Sequence, residues 1–163
     1  MALNPQYDAI GKGFVQQYYT LFDDPAQRAN LANMYNVELS FMTFEGVQLQ
    51  GAVKIMEKLN ALTFQKIGRI ITSVDSQPMF DGGVLINVLG RLQTDDDLPH
   101  GYFQTFVLKP IGNSFYVEHD MFRLALHDGA GLLDCIEKFI KNKTFHKGIT
   151  MYLCSCSTHF FNN

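Results

Sequence analysis

"KIGRIITSVDSQPMF" (66–80), "GVLINVLGRLQT" (83–94), "YFQTFVLKP" (102–110) and "NSFYVEHDMFRLAL" (113–126) follow one another with short joints between them. Each run is rich in β-branched and aromatic residues, and its apolar side chains recur at alternate positions, as in a strand. The joints "DGG" (81–83), "DDDLPHG" (95–101) and "PIGN" (110–113) consist of turn formers. Joints this short cannot hold the crossover that parallel neighbours require, so the four strands are expected to form an antiparallel meander.

The two faces of this sheet can be separated by alternation. In 84–94, Val84, Ile86, Val88 and Leu92 alternate with Leu85, Asn87, Leu89 and Arg91. Both sets are largely apolar. Helices can cover one face; the other would leave several large side chains in water, so a second copy of the chain is expected against it. Scattered surface apolar residues are the plainer alternative.

Upstream the period lengthens. Tyr7, Ile10, Phe14, Tyr18 and Leu21 recur at spacings of three and four, which predicts a helix with an apolar stripe. Asp24 and Pro25 suit the start of a second helix through Leu31 and Tyr35. "ELSFMTFEGVQLQG" (38–51) reads as a strand pair turning at Gly46, and "AVKIMEKLNAL" (52–62) returns to helical spacing. Helices first and a curled sheet after give an α+β fold.

The 163 residues are 47% hydrophobic and 18% charged, which describes one globular domain with a sizeable core. A formal charge of −3 argues against nucleic-acid binding. No apolar run is long enough to span a membrane, and the N-terminus lacks the pattern of a secretory signal. Three cysteines, Cys135, Cys154 and Cys156, suggest reduced thiols rather than a disulfide framework. Charge is unevenly divided: residues 1–131 hold 9 Lys/Arg against 14 Asp/Glu, whereas 132–163 hold 4 against 2. An acidic body points to a basic protein partner.

"IGKGFVQQYYTLFDD", "MTFEGVQLQG", "ALTFQKI", "ITSVDSQP", "VLGRLQTDDD" and "HDMFRLALH" together resemble the nuclear transport factor 2 family, in its order and spacing, over about residues 3–130. The resemblance implies a cone-shaped fold: a curved antiparallel sheet wrapped by N-terminal helices, and a homodimer formed through the sheet. It implies a carrier that takes Ran-GDP into the nucleus and binds Phe-Gly-repeat nucleoporins, present in cytoplasm and nucleus and concentrated at the pore. It implies no cofactor.

Carried over residue by residue, the acidic rim of the Ran-binding cavity would be Glu45, Asp95 and Asp97. Its lining would include Phe44, Leu62, Phe64, Ile67, Leu92, Met121 and Phe122. The nucleoporin-binding aromatic would be Tyr7, where the best-known members carry Trp. Three departures stand out. Arg69 brings a positive charge near a site meant for a basic partner, the proline after the acidic triplet (Pro99) is shifted by one, and Asn87 interrupts the strand that faces the dimer partner.

The family domain is expected over 1–130, with 131–163 as an atypical extension. Leu132, Ile136, Phe139 and Ile140 make a helical stripe flanked by Lys138, Lys141 and Lys143. Such a helix could lie on the body, on a partner or on a membrane surface; the extension as a whole reads as an appendage. "CSCSTH" (154–159) offers Cys154, Cys156 and His159, too few ligands for a metal site. A rival reading makes the chain an isomerase or dehydratase on the same cone, with His119 or Asp120 as the acid/base. Alternation places only one of these on the inner face. A third reading is a paralogue that dimerises but no longer carries Ran.

Overall fold

A computed structural model describes residues 3–125 of the chain. Helix α1 (Tyr7–Asp23) leads through a 3-10 helix (Arg28–Met34) to the hairpin β1 (Phe41–Phe44) and β2 (Val47–Gln50). Helix α2 (Ala52–Asn60) then precedes four long strands, β3 (Ile67–Pro78), β4 (Val84–Thr94), β5 (His100–Ile111) and β6 (Ser114–Ala125). All four strands of the meander stand where alternation places them, each antiparallel to the next.

The sheet is curved, unclosed and mixed, in the order β2-β1-β6-β5-β4-β3. The expected antiparallel sheet therefore has one exception: β1 runs parallel to β6, with Phe44 opposite Phe122. The connection through α2 carries the chain from one edge of the sheet to the other. This leaves the hairpin to pair with the last strand, a partner that local pattern cannot identify.

The core lies between the helices and the inner face of the sheet. Val84, Ile86, Val88 and Leu92 of β4 are buried, whereas Leu89, on the opposite face, is 47% exposed. On α1 the buried set is Gly11, Val15, Tyr18, Tyr19 and Phe22. Of the expected stripe, Tyr18 is at the centre of this face, while Tyr7, Ile10, Phe14 and Leu21 flank it, partly buried. Gly11 lets the helix approach β3 closely: a Cβ there would stand 2.0 Å from the Ser76 hydroxyl.

The expected second helix is a capped turn followed by a 3-10 helix. Asp24 Oδ1 accepts the Ala26 N–H at 2.9 Å. Arg28 is then pinned inward, its Nε donating to the Phe22 carbonyl at 2.8 Å. A 3-10 helix rises about 2.0 Å per residue against 1.5 Å for an α-helix, and the longer reach delivers Tyr35 to a bridge with Val117 of β6.

Candidate functional site

One end of the sheet gathers most of the expected site. Register places the ends of β1, β6, β5 and β4 and the start of β3 side by side, through Phe44 opposite Phe122, Leu92 opposite His100 and Ile67 opposite Thr94. The residues named from sequence reach this end from four separate stretches of chain.

Glu45 is positioned by its turn. Glu45 and Gly46 have φ of 49° and 80°, the paired positive values of a tight hairpin turn that a glycine eases. The Glu45 N–H donates to the Phe122 carbonyl at 3.1 Å, and its carboxylate accepts the Leu124 N–H. Both bonds fasten the β1–β2 turn to β6. Burial pushes the Glu45 pKa up, opposed by the Leu124 N–H and by the charges of Arg123 and Lys58.

The aspartates of "DDD" have three different settings. Asp95, at φ 50°, accepts the N–H groups of Gln65 and Lys66 on one carboxylate oxygen at 2.9 and 3.0 Å, and donates its own N–H to the Lys66 carbonyl at 2.9 Å. It therefore clasps the segment between α2 and β3 to the β4–β5 turn. Asp97 accepts the Thr94 hydroxyl at 3.1 Å, while its carbonyl holds the Gln93 side chain at 2.8 Å. Asp96 is exposed. The clasp escaped sequence reasoning because its partners lie 29 and 30 residues away and are backbone groups, which no side-chain pattern reveals.

Between these acids lies an aromatic wall. Phe44 stacks on Phe122 with centroids 4.8 Å apart, and Phe122 stacks in turn on Tyr102 at 5.8 Å. Leu62, Phe64 and Leu92 are 6%, 0% and 2% exposed, and Ile67 is partly buried. Met121 is a correction: alternation along β6 turns it to the opposite face, where it is 48% exposed. Tyr102 and Lys58 were missed. Tyr102 occupies an inner position of β5, and the Lys58 ammonium sits 5.4 Å from the Phe44 ring centroid.

Arg69 does not act as an open positive charge. Its Nε donates to both Asp23 oxygens at 3.1 and 2.8 Å, and Nη2 donates to Oδ1 at 2.7 Å. The guanidinium lies 3.9 Å from the Tyr19 centroid and 4.9 Å from that of Tyr102. Burial is the largest single influence and disfavours its charged form, but the hydrogen bonds and the charge of Asp23, with Tyr19 and Tyr102, together outweigh it and raise the pKa. The charge that sequence placed near the rim is thus neutralised inside the core.

Beneath the wall runs a buried polar chain. Asp120 accepts the Tyr35 and Tyr18 hydroxyls at 2.7 and 3.1 Å and the Gln104 amide at 2.7 Å, while Gln104 accepts the Tyr19 hydroxyl at 2.9 Å. Burial pushes the Asp120 pKa up to about 6 against these three donors. His119 points the other way, 47% exposed and stacked on Phe41. Of this pair only Asp120 faces inward, and both of its oxygens are already engaged by protein donors. "CSCSTH" and the stripe of Leu132, Ile136, Phe139 and Ile140 lie outside the described residues.

Helices laid on a curved sheet, with an acid-rimmed aromatic end, define a cone fold of the kind that serves both carriers and enzymes. Residues 10–124 match the Nuclear transport factor 2 (NTF2) domain, and the chain belongs to that family. It is 43% identical over 132 residues to a protein named probable nuclear transport factor 2 from Caenorhabditis elegans, covering 78% of this chain and 99% of that one. Nuclear transport factor 2 of Saccharomyces cerevisiae is 44% identical over 120 residues, covering 72% and 94%. The structure of nuclear transport factor 2 from Cryptosporidium parvum superposes with a TM-score of 0.71 at 42% identity, over 76% of this chain and 98% of that one. A putative dehydratase from Streptomyces avermitilis, at 10% identity and a TM-score of 0.62, shares the fold alone.

Proposed function

We propose that this chain is a nuclear transport factor that binds Ran-GDP at the aromatic end of its sheet and carries it through the pore by contacts with Phe-Gly-repeat nucleoporins. One observation carries this reading. Glu45, Asp95 and Asp97 converge with Phe44, Leu62, Phe64, Leu92 and Phe122 at a single end of the sheet, in a chain of the nuclear transport factor 2 family.

The chemistry suits a basic protein that presents an aromatic side chain. Burying that ring supplies roughly 1.5–3 kcal/mol. Partly desolvated pairs with the rim acids add orientation and a faster approach, each exceeding the ~0–1 kcal/mol of an exposed pair. Tyr7, at the first residue of α1, offers a ring to Phe-Gly repeats. Leu85, Leu89, Phe103 and Met121 stand exposed on the face opposite the helices and supply the apolar surface for a homodimer. Such a carrier works in both cytoplasm and nucleus and concentrates at the pore. It turns over no substrate, in keeping with the engaged oxygens of Asp120.

Calorimetric titration with Ran-GDP and with Ran-GTP tests this reading. Selective binding of the GDP form is expected, and equal affinity for the two would refute it. Glu45→Lys is expected to abolish Ran-GDP binding while circular dichroism stays native. Glu45→Gln, which keeps an acceptor for the Leu124 N–H, separates loss of charge from loss of the turn. Unchanged affinity in Glu45→Lys removes Glu45 from the rim.

A further inference from the structure

We propose that the cleft between α1, the 3-10 helix and the β5–β6 hairpin is a docking site for an aromatic ring, taking the Phe of an uncharged, glycine-flanked peptide segment. The inference rests on the Phe-Gly reading given above and deepens it, adding a second ring site to the one at Tyr7.

The stripe on α1 is the first argument. Tyr7, Ile10, Phe14 and Leu21 recur as a buried helix face should, yet α1 packs on the sheet through Val15, Tyr18, Tyr19 and Phe22. Ile10, Phe14 and Leu21 are left half-buried along a cleft of about 530 Å³, whose lining Met34, Leu108 and Phe115 complete. That volume is ordinary for a ligand site. Phe14 is braced by Phe106, edge-on at 5.0 Å, so its position is set before any partner arrives. The flexible thioether of Met34 can adapt to an incoming ring.

The edge of the cleft is the second argument. Gln17, Asn30 and Asn33 stand there, and their side-chain amides form no hydrogen bond with any described residue. Each amide offers both donors and an acceptor, which is what a bare peptide backbone needs. No charged side chain of the described residues lines the cleft, so a charged partner would lose hydration there without gaining a counter-charge. A helical partner satisfies its own backbone groups and would leave the amides idle. An extended segment does not, and glycine beside the ring lets the backbone approach closely.

Spacing agrees with both arguments. Tyr7 stands on the same stripe, seven residues before Phe14, about 10 Å along the helix axis. Rings two or four residues apart on an extended chain share a side and lie about 7 or 13 Å apart, which brackets that distance. One segment can therefore meet Tyr7 and the cleft together. The cleft is also remote from the acidic rim: Phe115 precedes Leu124 by nine residues of β6, about 30 Å. Cargo at the rim and a repeat in the cleft do not exclude each other.

The experiment uses the full-length chain with labelled Ile, Leu and Met methyl groups, and a capped, uncharged peptide holding two Phe-Gly units. NMR titration is expected to shift the Leu21, Met34 and Leu108 methyls saturably, and a peptide with Ala for both Phe is expected to shift none. Gln17→Glu/Asn33→Asp, which keeps side-chain size but removes the donors, is expected to weaken peptide binding about tenfold and to leave Ran-GDP affinity unchanged. Met34→Glu is expected to abolish the three methyl shifts. Peptide binding that falls in Tyr7→Ala yet leaves these methyls unmoved overturns the cleft and leaves the Phe-Gly reading standing; no binding at all overturns both. Saturable cleft shifts in a chain that binds no Ran-GDP uphold the site and refute the carrier reading. Cleft shifts that follow protein concentration without peptide overturn the proposal by assigning the cleft to a second copy.

Discussion

Arg69 and Asp23 show why the charge of one residue cannot be judged apart from its partners. In sequence Arg69 stands 46 residues from Asp23, and the family resemblance sets it near the acids of the rim; in the fold it is a bidentate partner of Asp23, buried against Tyr19. Removing one member of a buried pair leaves the other charge uncompensated, at a cost of about 3–5 kcal/mol. Asp23→Ala is therefore expected to lower stability in denaturant titrations by that order, and a loss under 1 kcal/mol would contradict the pairing. Asp120 supports a prediction of opposite sign to the usual carboxylate case. Its folded pKa of about 6 exceeds the ordinary 3.8, so the folded chain binds the proton more tightly than the unfolded chain does. Its contribution is fully present below pH ~4 and fades as pH rises through ~6, by up to ~3 kcal/mol. Unfolding measured across this window should show that component in the native chain and not in Asp120→Asn.

Elements were legible where their pattern is local. The alternation of 84–94 marked β4 and assigned both of its faces, and Glu45–Gly46 marked the β1–β2 turn because two positive φ values there favour a glycine. The apolar stripe of α1 was legible, but its centre was not. Gly11 and the pair Tyr18–Tyr19 bring the helix down on a face rotated from the stripe, since close approach to Ser76 decides which side packs. Tyr7 sits at the edge of that face, only partly buried. Tyr7→Ala is accordingly expected to weaken binding of a Phe-Gly peptide several-fold in a fluorescence titration while leaving Ran-GDP affinity intact. Loss of both would mean that the ring holds α1 in place.

For the whole molecule, the exposed apolar face of the sheet is the feature with the largest consequence. Leu89 lies opposite Phe103 in the β4–β5 register, and Met121 opposite Thr105 in β5–β6, so these side chains form a continuous surface. Asn87 interrupts it but accepts the Thr105 hydroxyl at 2.9 Å, which satisfies one of its polar atoms in place. Sedimentation velocity should find a dimer for the native chain and a folded monomer for Leu89→Asp/Phe103→Asp. A native chain that sediments as a monomer at micromolar concentration would remove the dimer from the proposal.

Sequence by itself determined the strand and helix order, the acidity of the body and the family, because each is written in local period, turn chemistry or motif order. It also named Glu45, Asp95 and Asp97 together with most of the aromatic wall, though only through resemblance. Tertiary structure decided the rest: the parallel pairing of β1 with β6, the turning away of Met121, the neutralisation of Arg69 and the clasp of Asp95 on residues 65–66. Each of these joins groups about 30 or more residues apart, or depends on which way an alternating side chain faces. Such outcomes are fixed by competition among all packed surfaces at once, and no short stretch of chain contains that competition.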